Sequence, residues 1–222
     1  MIHTKQEMSG TKRLAYRFCR FIWRMFSKIM FRFEVIGAEN LPQDVAFIAA
    51  PGGHRSYLDT PMMTLVSDRV LRFIGAEEFF SKPVLGPFLD LMGGFPVDRA
   101  VSDREALAIA EGVVAGGEPL VMFPEGARFK GNVLPELKPG VAFIASRQQV
   151  QIVPIGLGGL EKVMGVGHWF PKPYKVSVVI GKPIDPPEKV NGRVKRSKVA
   201  ELSQQLQTDL QAVYDEAERR AS

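Results

Sequence analysis

Val45-Ala46-Phe47-Ile48-Ala49-Ala50-Pro51-Gly52-Gly53-His54-Arg55-Ser56-Tyr57-Leu58-Asp59 runs from a strand through a tight turn to the start of a helix. The unbroken apolar run Val45–Ala50 is the pattern of a strand covered on both faces, which is how parallel sheets are built. Two glycines then allow close backbone approach, and Tyr57–Asp68 reads as a helix with Ser56 and Asp59 near its start. His54 and Asp59 stand five residues apart, so on one helix their side chains would diverge by about 140°. They meet only if His54 leaves in the loop and Asp59 folds back from the next turn. In that geometry the imidazole can take a proton near neutral pH while the carboxylate fixes its tautomer. A solvated loop histidine followed by an unrelated helix-start Asp is the competing reading.

Working outward, extended and helical patterns alternate. Arg32–Ile36, Leu71–Ala76, Phe95–Val97, Pro119–Phe123, Gln151–Ile155 and Tyr174–Ile180 read as extended segments. Val84–Leu91, Asp103–Ala115, Val141–Arg147 and Ser197–Arg219 read as helices. Ser102 and Glu105 form the signature of a capping box before Asp103–Ala115, and Gly116-Gly117 provides the stop. The expectation is an α/β fold: a mixed, mostly parallel sheet flanked by helices, with the site in loops beyond the strand ends. His54 and Glu125 both follow such ends.

The chain has 222 residues, 45% hydrophobic and 24% charged, the composition of a globular protein with a substantial core. One cysteine, Cys19, excludes an internal disulfide and suggests a reducing compartment. His3, His54 and His168 are too dispersed to suggest a metal site, so no metal is expected. The net charge of +5 is uneven: residues 1–32 hold eight basic side chains and one acid, whereas residues 33–222 are about neutral. We therefore divide the chain into an arm, 1–32, and a body, 33–222.

No apolar run in the arm is long enough to span a bilayer. On a helix from Lys12 to Phe33, Arg13, Arg17, Arg20, Arg24 and Lys28 form a basic stripe. Leu14, Phe18, Ile22, Met25, Phe26 and Ile29 form an apolar one, with Trp23 on the flank. Such a helix suits an anionic membrane surface, where each basic side chain contributes about 1 kcal/mol. The expected location is the cytoplasmic face of a membrane, peripheral or monotopic. Packing of the apolar stripe on the body and a transit peptide are the competing readings. A nucleic-acid partner is not expected, because the body is not basic and carries no such motif. Lys189, Arg193, Lys195, Arg196 and Lys198 read as a solvated loop and helix start, or a second membrane contact.

Phe123-Pro124-Glu125-Gly126-Ala127-Arg128 places an acid and a planar guanidinium at a strand end, with Gly126 open to a ligand's approach. Arg128 suits a phosphate, while Glu125 suits a substrate hydroxyl or Arg128 itself. Gly93-Gly94-Phe95-Pro96-Val97-Asp98-Arg99 and Val153-Pro154-Ile155-Gly156 are weaker signals. Gly156–Gly159 is too loose for a dinucleotide loop, and no Gly-x-Ser-x-Gly elbow occurs.

Taken in order, these four blocks resemble the glycerolipid acyltransferases, specifically those acting on 1-acylglycerol-3-phosphate, over residues 33 to 185. His54 and Asp59 match the His-x4-Asp block, and Phe123 to Arg128 match Phe-Pro-Glu-Gly-x-Arg. Gly93 to Arg99 and Val153 to Ile155 match the remaining two. The resemblance implies transfer of a fatty acyl group from an acyl thioester (acyl-CoA or acyl-ACP, with no cofactor) to a lysophosphatidate hydroxyl, in phospholipid biosynthesis. It makes His54 and Asp59 catalytic. Arg99, Glu125, Gly126 and Arg128 are expected at the acceptor phosphate, with Lys82 as a further candidate. Val153, Pro154 and Ile155 would border the acyl donor. Gly53 stands where the family usually has Asn, and Ala127 where Ser or Thr is common; each loses a polar side chain near the site. Alternatives are another acceptor (glycerol-3-phosphate, another lysophospholipid or a glycolipid), a membrane-peripheral thioesterase or hydrolase, and a non-catalytic lipid-binding module.

Overall fold

Adjacent residues of the run at Val45 face opposite layers: Phe47 and Ala49 join one hydrophobic cluster, Ile48 and Ala50 the other. That two-sided burial puts this strand at the centre of a sheet. The computed structural model describes residues 9–222 except 99–101, 130, 132, 166 and 168–169. Arg99 and His168 therefore lie outside the described residues.

Seven strands form one sheet: β1 (Glu34–Ile36), β2 (Phe47–Gly52), β3 (Arg72–Ala76), β4 (Gly94–Val97), β5 (Leu120–Val121), β6 (Gln151–Gly158) and β7 (Ser177–Ile180). Their order is β1-β7-β6-β2-β5-β3-β4. The five from β6 to β4 are parallel, while β7 is antiparallel to β6 and carries β1 with it. The helices are α1 (Gly10–Phe31), α2 (Asp59–Met63), α3 (Glu77–Phe80), α4 (Leu85–Leu91), α5 (Asp103–Ala115), α6 (Gly140–Gln148), α7 (Leu160–Met164) and α8 (Arg196–Ala221). Residues of α1, α2 and α7 bury against one sheet face, and those of α5, α6 and α8 against the other. The mixed, mostly parallel α/β sheet matches the expectation.

The chain leaves β2 towards α2 on one face, whereas its neighbour β5 leads to α6 on the other. Two adjacent strands sending their connections to opposite faces open a crevice beyond their carboxyl ends, the usual ligand site of such sheets. His54 and Glu125 follow these two strands.

Several segments differ from the sequence reading. Ser102 caps α5 with the full box at the expected residues. The helix expected over Tyr57–Asp68 is instead only Asp59–Met63, because α1 competes for its carbonyls. Trp23 Nε1 donates to the Pro61 carbonyl and Arg20 Nε to that of Thr64, at 3.1 and 3.0 Å. The strand Gln151–Ile155 extends to Gly158, and Pro154 is interior to it, not at an open end. It falls where β7 pairing gives way to the Ile152–Ile184 bridge, so its missing N–H disrupts no continuous ladder. Gly156 and Gly158 are close-approach residues: a Cβ at either would lie 2.1 Å from a carbonyl oxygen of α8.

Helix α1 has three sectors, not two. Tyr16, Ser27 and Phe31 are buried, with Cys19, Trp23 and Met30 packed against the same core. Arg20 salt-bridges Asp68 at 2.8 Å. Leu14, Phe18, Phe21, Ile22, Met25, Phe26 and Ile29 remain 40–77% exposed, so this stripe does not pack on the body. No helix among the described residues is long and apolar enough to cross a membrane. The basic loop after β7 lies at the opposite sheet edge from His54, where Gln149 Nε2 donates to the Pro187 carbonyl.

Candidate active site

Hydrogen bonds hold the turn after β2 at Gly53, His54 and Ser56. The Gly53 and His54 N–H groups donate to the two Glu125 oxygens at 2.7 and 3.0 Å. The His54 carbonyl accepts from the Phe129 N–H at 3.2 Å. Ser56 Oγ donates to the Met164 carbonyl at 2.6 Å and accepts from the Leu58 N–H at 3.1 Å. The loop is therefore a rigid mount rather than a mobile connection.

Its product is the His54–Asp59 pair. Nδ1 of His54 lies 2.8 Å from Asp59 Oδ2, and the same oxygen accepts the Ser56 N–H at 2.8 Å. Asp59 is fully buried, while the His54 side chain is 16% exposed. Burial pushes the Asp59 carboxyl above its ordinary range, and its hydrogen bonds to His54 and Ser56 pull it back only in part. With Nδ1–H donating to Asp59, Nε2 is the basic nitrogen left for chemistry. Phe123 stacks on the imidazole at 4.1 Å between centroids and fixes the ring plane.

Glu125 departs from its expected role. Both oxygens face the loop backbone, and among the described residues it forms no ion pair with Arg128. It is 7% exposed, and burial raises its pKa to about 7 despite the two N–H donors. A local Glu–Arg spacing gave no sign of this reach across to β2.

Arg128 stands at the mouth. Its guanidinium lies 4.4 Å over the Tyr57 ring, and Nε donates to the Ser56 carbonyl at 3.3 Å. Among the described residues it has no carboxylate partner, so its fork suits an anionic oxygen. Gly126 takes φ +73°, and a Cβ there would meet the Lys138 side chain at 2.7 Å. Lys138 is thus a cation beside the site that sequence reading missed; only the fold brings it back to Gly126. Lys82 is exposed between α3 and α4, at the same sheet edge but beyond β5 and β3, and no described contact joins it to His54. Val153 and Ile155 are fully buried and Pro154 is buried with them. The Val153 and Ile155 side chains pack in the sheet's core rather than at an open edge.

The position of Gly53 also changes its meaning. It takes φ +92°, and a Cβ would lie 2.7 Å from both the Leu157 carbonyl and the Tyr214 ring. A side chain there would therefore point towards Tyr214 of α8. Among the described residues no cluster of His, Cys, Asp and Glu could hold a metal.

Residues 32–158 match the model of the acyltransferase family. A chloroplastic 1-acyl-sn-glycerol-3-phosphate acyltransferase of Brassica napus is 32% identical over 176 residues, covering 76% of this chain and 51% of that protein. The Bacillus subtilis 1-acyl-sn-glycerol-3-phosphate acyltransferase is 26% identical, covering 76% and 82% respectively. The crystal structure of the Thermotoga maritima 1-acyl-sn-glycerophosphate acyltransferase superposes with a TM-score of 0.71 at 24% identity, over 94% of this chain and 83% of that one. The chain spans about half the length of the algal and plant relatives it matches.

Proposed function

Since this chain belongs to the acyltransferase family, we propose that it transfers a fatty acyl group from an acyl thioester to the free hydroxyl of a 1-acylglycerol-3-phosphate. The observation that carries this reading is the buried Asp59 at 2.8 Å from Nδ1 of a partly exposed His54. Nε2 removes the hydroxyl proton as that oxygen attacks the thioester carbonyl. The tetrahedral intermediate collapses, the carbon–sulfur bond breaks, and the imidazolium returns its proton to the leaving thiolate. Asp59 holds the tautomer throughout and stabilises the transient imidazolium, as in other His–Asp pairs. No protein nucleophile takes part.

Arg128 receives the acceptor phosphate, with Arg99, Lys82 and the open backbone at Gly126 as further contacts. The exposed apolar sector of α1 lies in the lipid interface, with Arg13, Arg17, Arg24 and Lys28 at anionic headgroups. We infer that the protein works on the cytoplasmic face of a membrane, with acyl-CoA or acyl-ACP supplying the acyl group.

The test is acyl transfer to a panel of lyso-acceptors. Acceptor-dependent thiol release with 1-acylglycerol-3-phosphate, well above release with a phosphate-free monoacylglycerol, supports the reading. Thiol release without any acceptor would make the protein a hydrolase instead.

A further inference from the structure

The residue after the proposed base is as tightly held as the base itself. Arg55 is 5% exposed. Its Nη1 donates to the Gly131 carbonyl at 2.6 Å and lies 3.0 Å from Glu161, while Nη2 lies 2.7 Å from Glu218. The guanidinium sits 5.7 Å over the Tyr214 ring. One side chain thus ties the His54 loop to the segment after β5, to α7 and to α8.

Helix α8 supports the loop in register. Leu210, Tyr214 and Glu218 are spaced four residues apart and share one helix face. A Cβ at Gly52 would lie 2.8 Å from Leu210, and one at Gly53 2.7 Å from Tyr214, while Glu218 meets Arg55. One helical stripe therefore underlies the backbone at residues 52 and 53 and grips the Arg55 side chain, and the base stands between Gly53 and Arg55. α8 lies outside the residues matched by the family model.

We propose that Arg55 and Glu218 are a positioning pair that fixes the His54 imidazole at its reacting distance without touching substrate. This rests on the reading of His54 as the base. A small displacement of a catalytic group costs as much as 10²-fold in rate, so the effect falls on kcat and spares KM. A polar cavity of about 310 Å³, lined by Arg55, Glu161, Lys162, Tyr214 and Glu218 among others, adjoins the pair. It offers room for a guanidinium ion if the Arg55 side chain is removed.

The experiment measures transfer by the full chain as wild type, Arg55→Ala, Arg55→Lys, Glu218→Gln and His54→Ala, with and without low millimolar guanidinium chloride. Arg55→Ala is expected to lower kcat about 10- to 100-fold with KM within about twofold. Guanidinium should restore several-fold of the loss, and Arg55→Lys less, because an ammonium cannot form the fork. Glu218→Gln, which perturbs the fold least, should lower kcat several-fold, and His54→Ala should not respond to guanidinium. Unchanged kcat in folded Arg55→Ala and Glu218→Gln, or a folded Arg55→Ala deaf to guanidinium, overturns the positioning pair. Full turnover in His54→Ala would instead remove the base reading beneath it.

Discussion

The His54 loop and helix α1 invert the ordinary rule of protein interiors in opposite senses. The loop buries charge and backbone polarity: Asp59 is fully buried and Glu125 nearly so. α1 does the reverse, exposing seven large apolar side chains beside a basic stripe. In the loop the cost is offset internally in part: Glu125 accepts two N–H groups and Asp59 accepts from both His54 and Ser56, yet burial still holds both carboxyls above their ordinary range. In α1 nothing in the described chain covers the apolar sector. Burying one such side chain contributes about 1.5–3 kcal/mol, so covering the sector would stabilise α1 substantially. The loop sets its buried charges against groups of its own fold, whereas the apolar sector of α1 has no cover within the described chain.

The largest effect that would break this division is at Asp59. Asp59→Asn keeps the shape but favours the wrong tautomer, and kcat should fall about 10²–10⁴-fold. A fall below tenfold would mean that His54 does not need its buried partner. At α1, Phe18→Glu with Ile29→Glu should abolish sedimentation with anionic vesicles while thermal stability stays within a few degrees. Unchanged sedimentation would mean that the exposed sector serves something other than lipid.

The smallest effect concerns Glu125 and pH. Its folded pKa, about 7, lies above the ordinary 4.5. The folded state thus binds the extra proton, and the stabilisation it gives is complete below about pH 4.5 and lost as pH rises to about 7. Urea unfolding should show this decline in the wild type and a flatter profile in Glu125→Gln, whatever the variant's absolute stability. Parallel profiles would show that Glu125 ionises like an exposed carboxylate.

What the sequence disclosed was local, and what it hid was reach. The capping box at Ser102 and Glu105 involves neighbours only, and its expected boundaries hold. His54 and Asp59 were legible because their spacing left one way to meet. Glu125 was not, because its partners lie about seventy residues earlier in sequence. The place of Pro154 inside β6 was hidden for a related reason: an apolar run with a proline looks the same at an open strand end and inside a core. Gly53 and Gly156 acquire their meaning from α8, which approaches them only in the folded chain. On α1, two stripes were visible in the sequence, yet the helix docks through a third sector, where Trp23 and Arg20 find the carbonyls of α2 and its following turn.

In the proposed mechanism His54 itself deprotonates the acceptor. This step is tested most directly by single-turnover acyl transfer to 1-acylglycerol-3-phosphate by His54→Ala, with unfolding checked in parallel. The expected result is a folded protein whose transfer rate has dropped about 10²–10⁴-fold. A folded His54→Ala protein that transfers at the wild-type rate would contradict it.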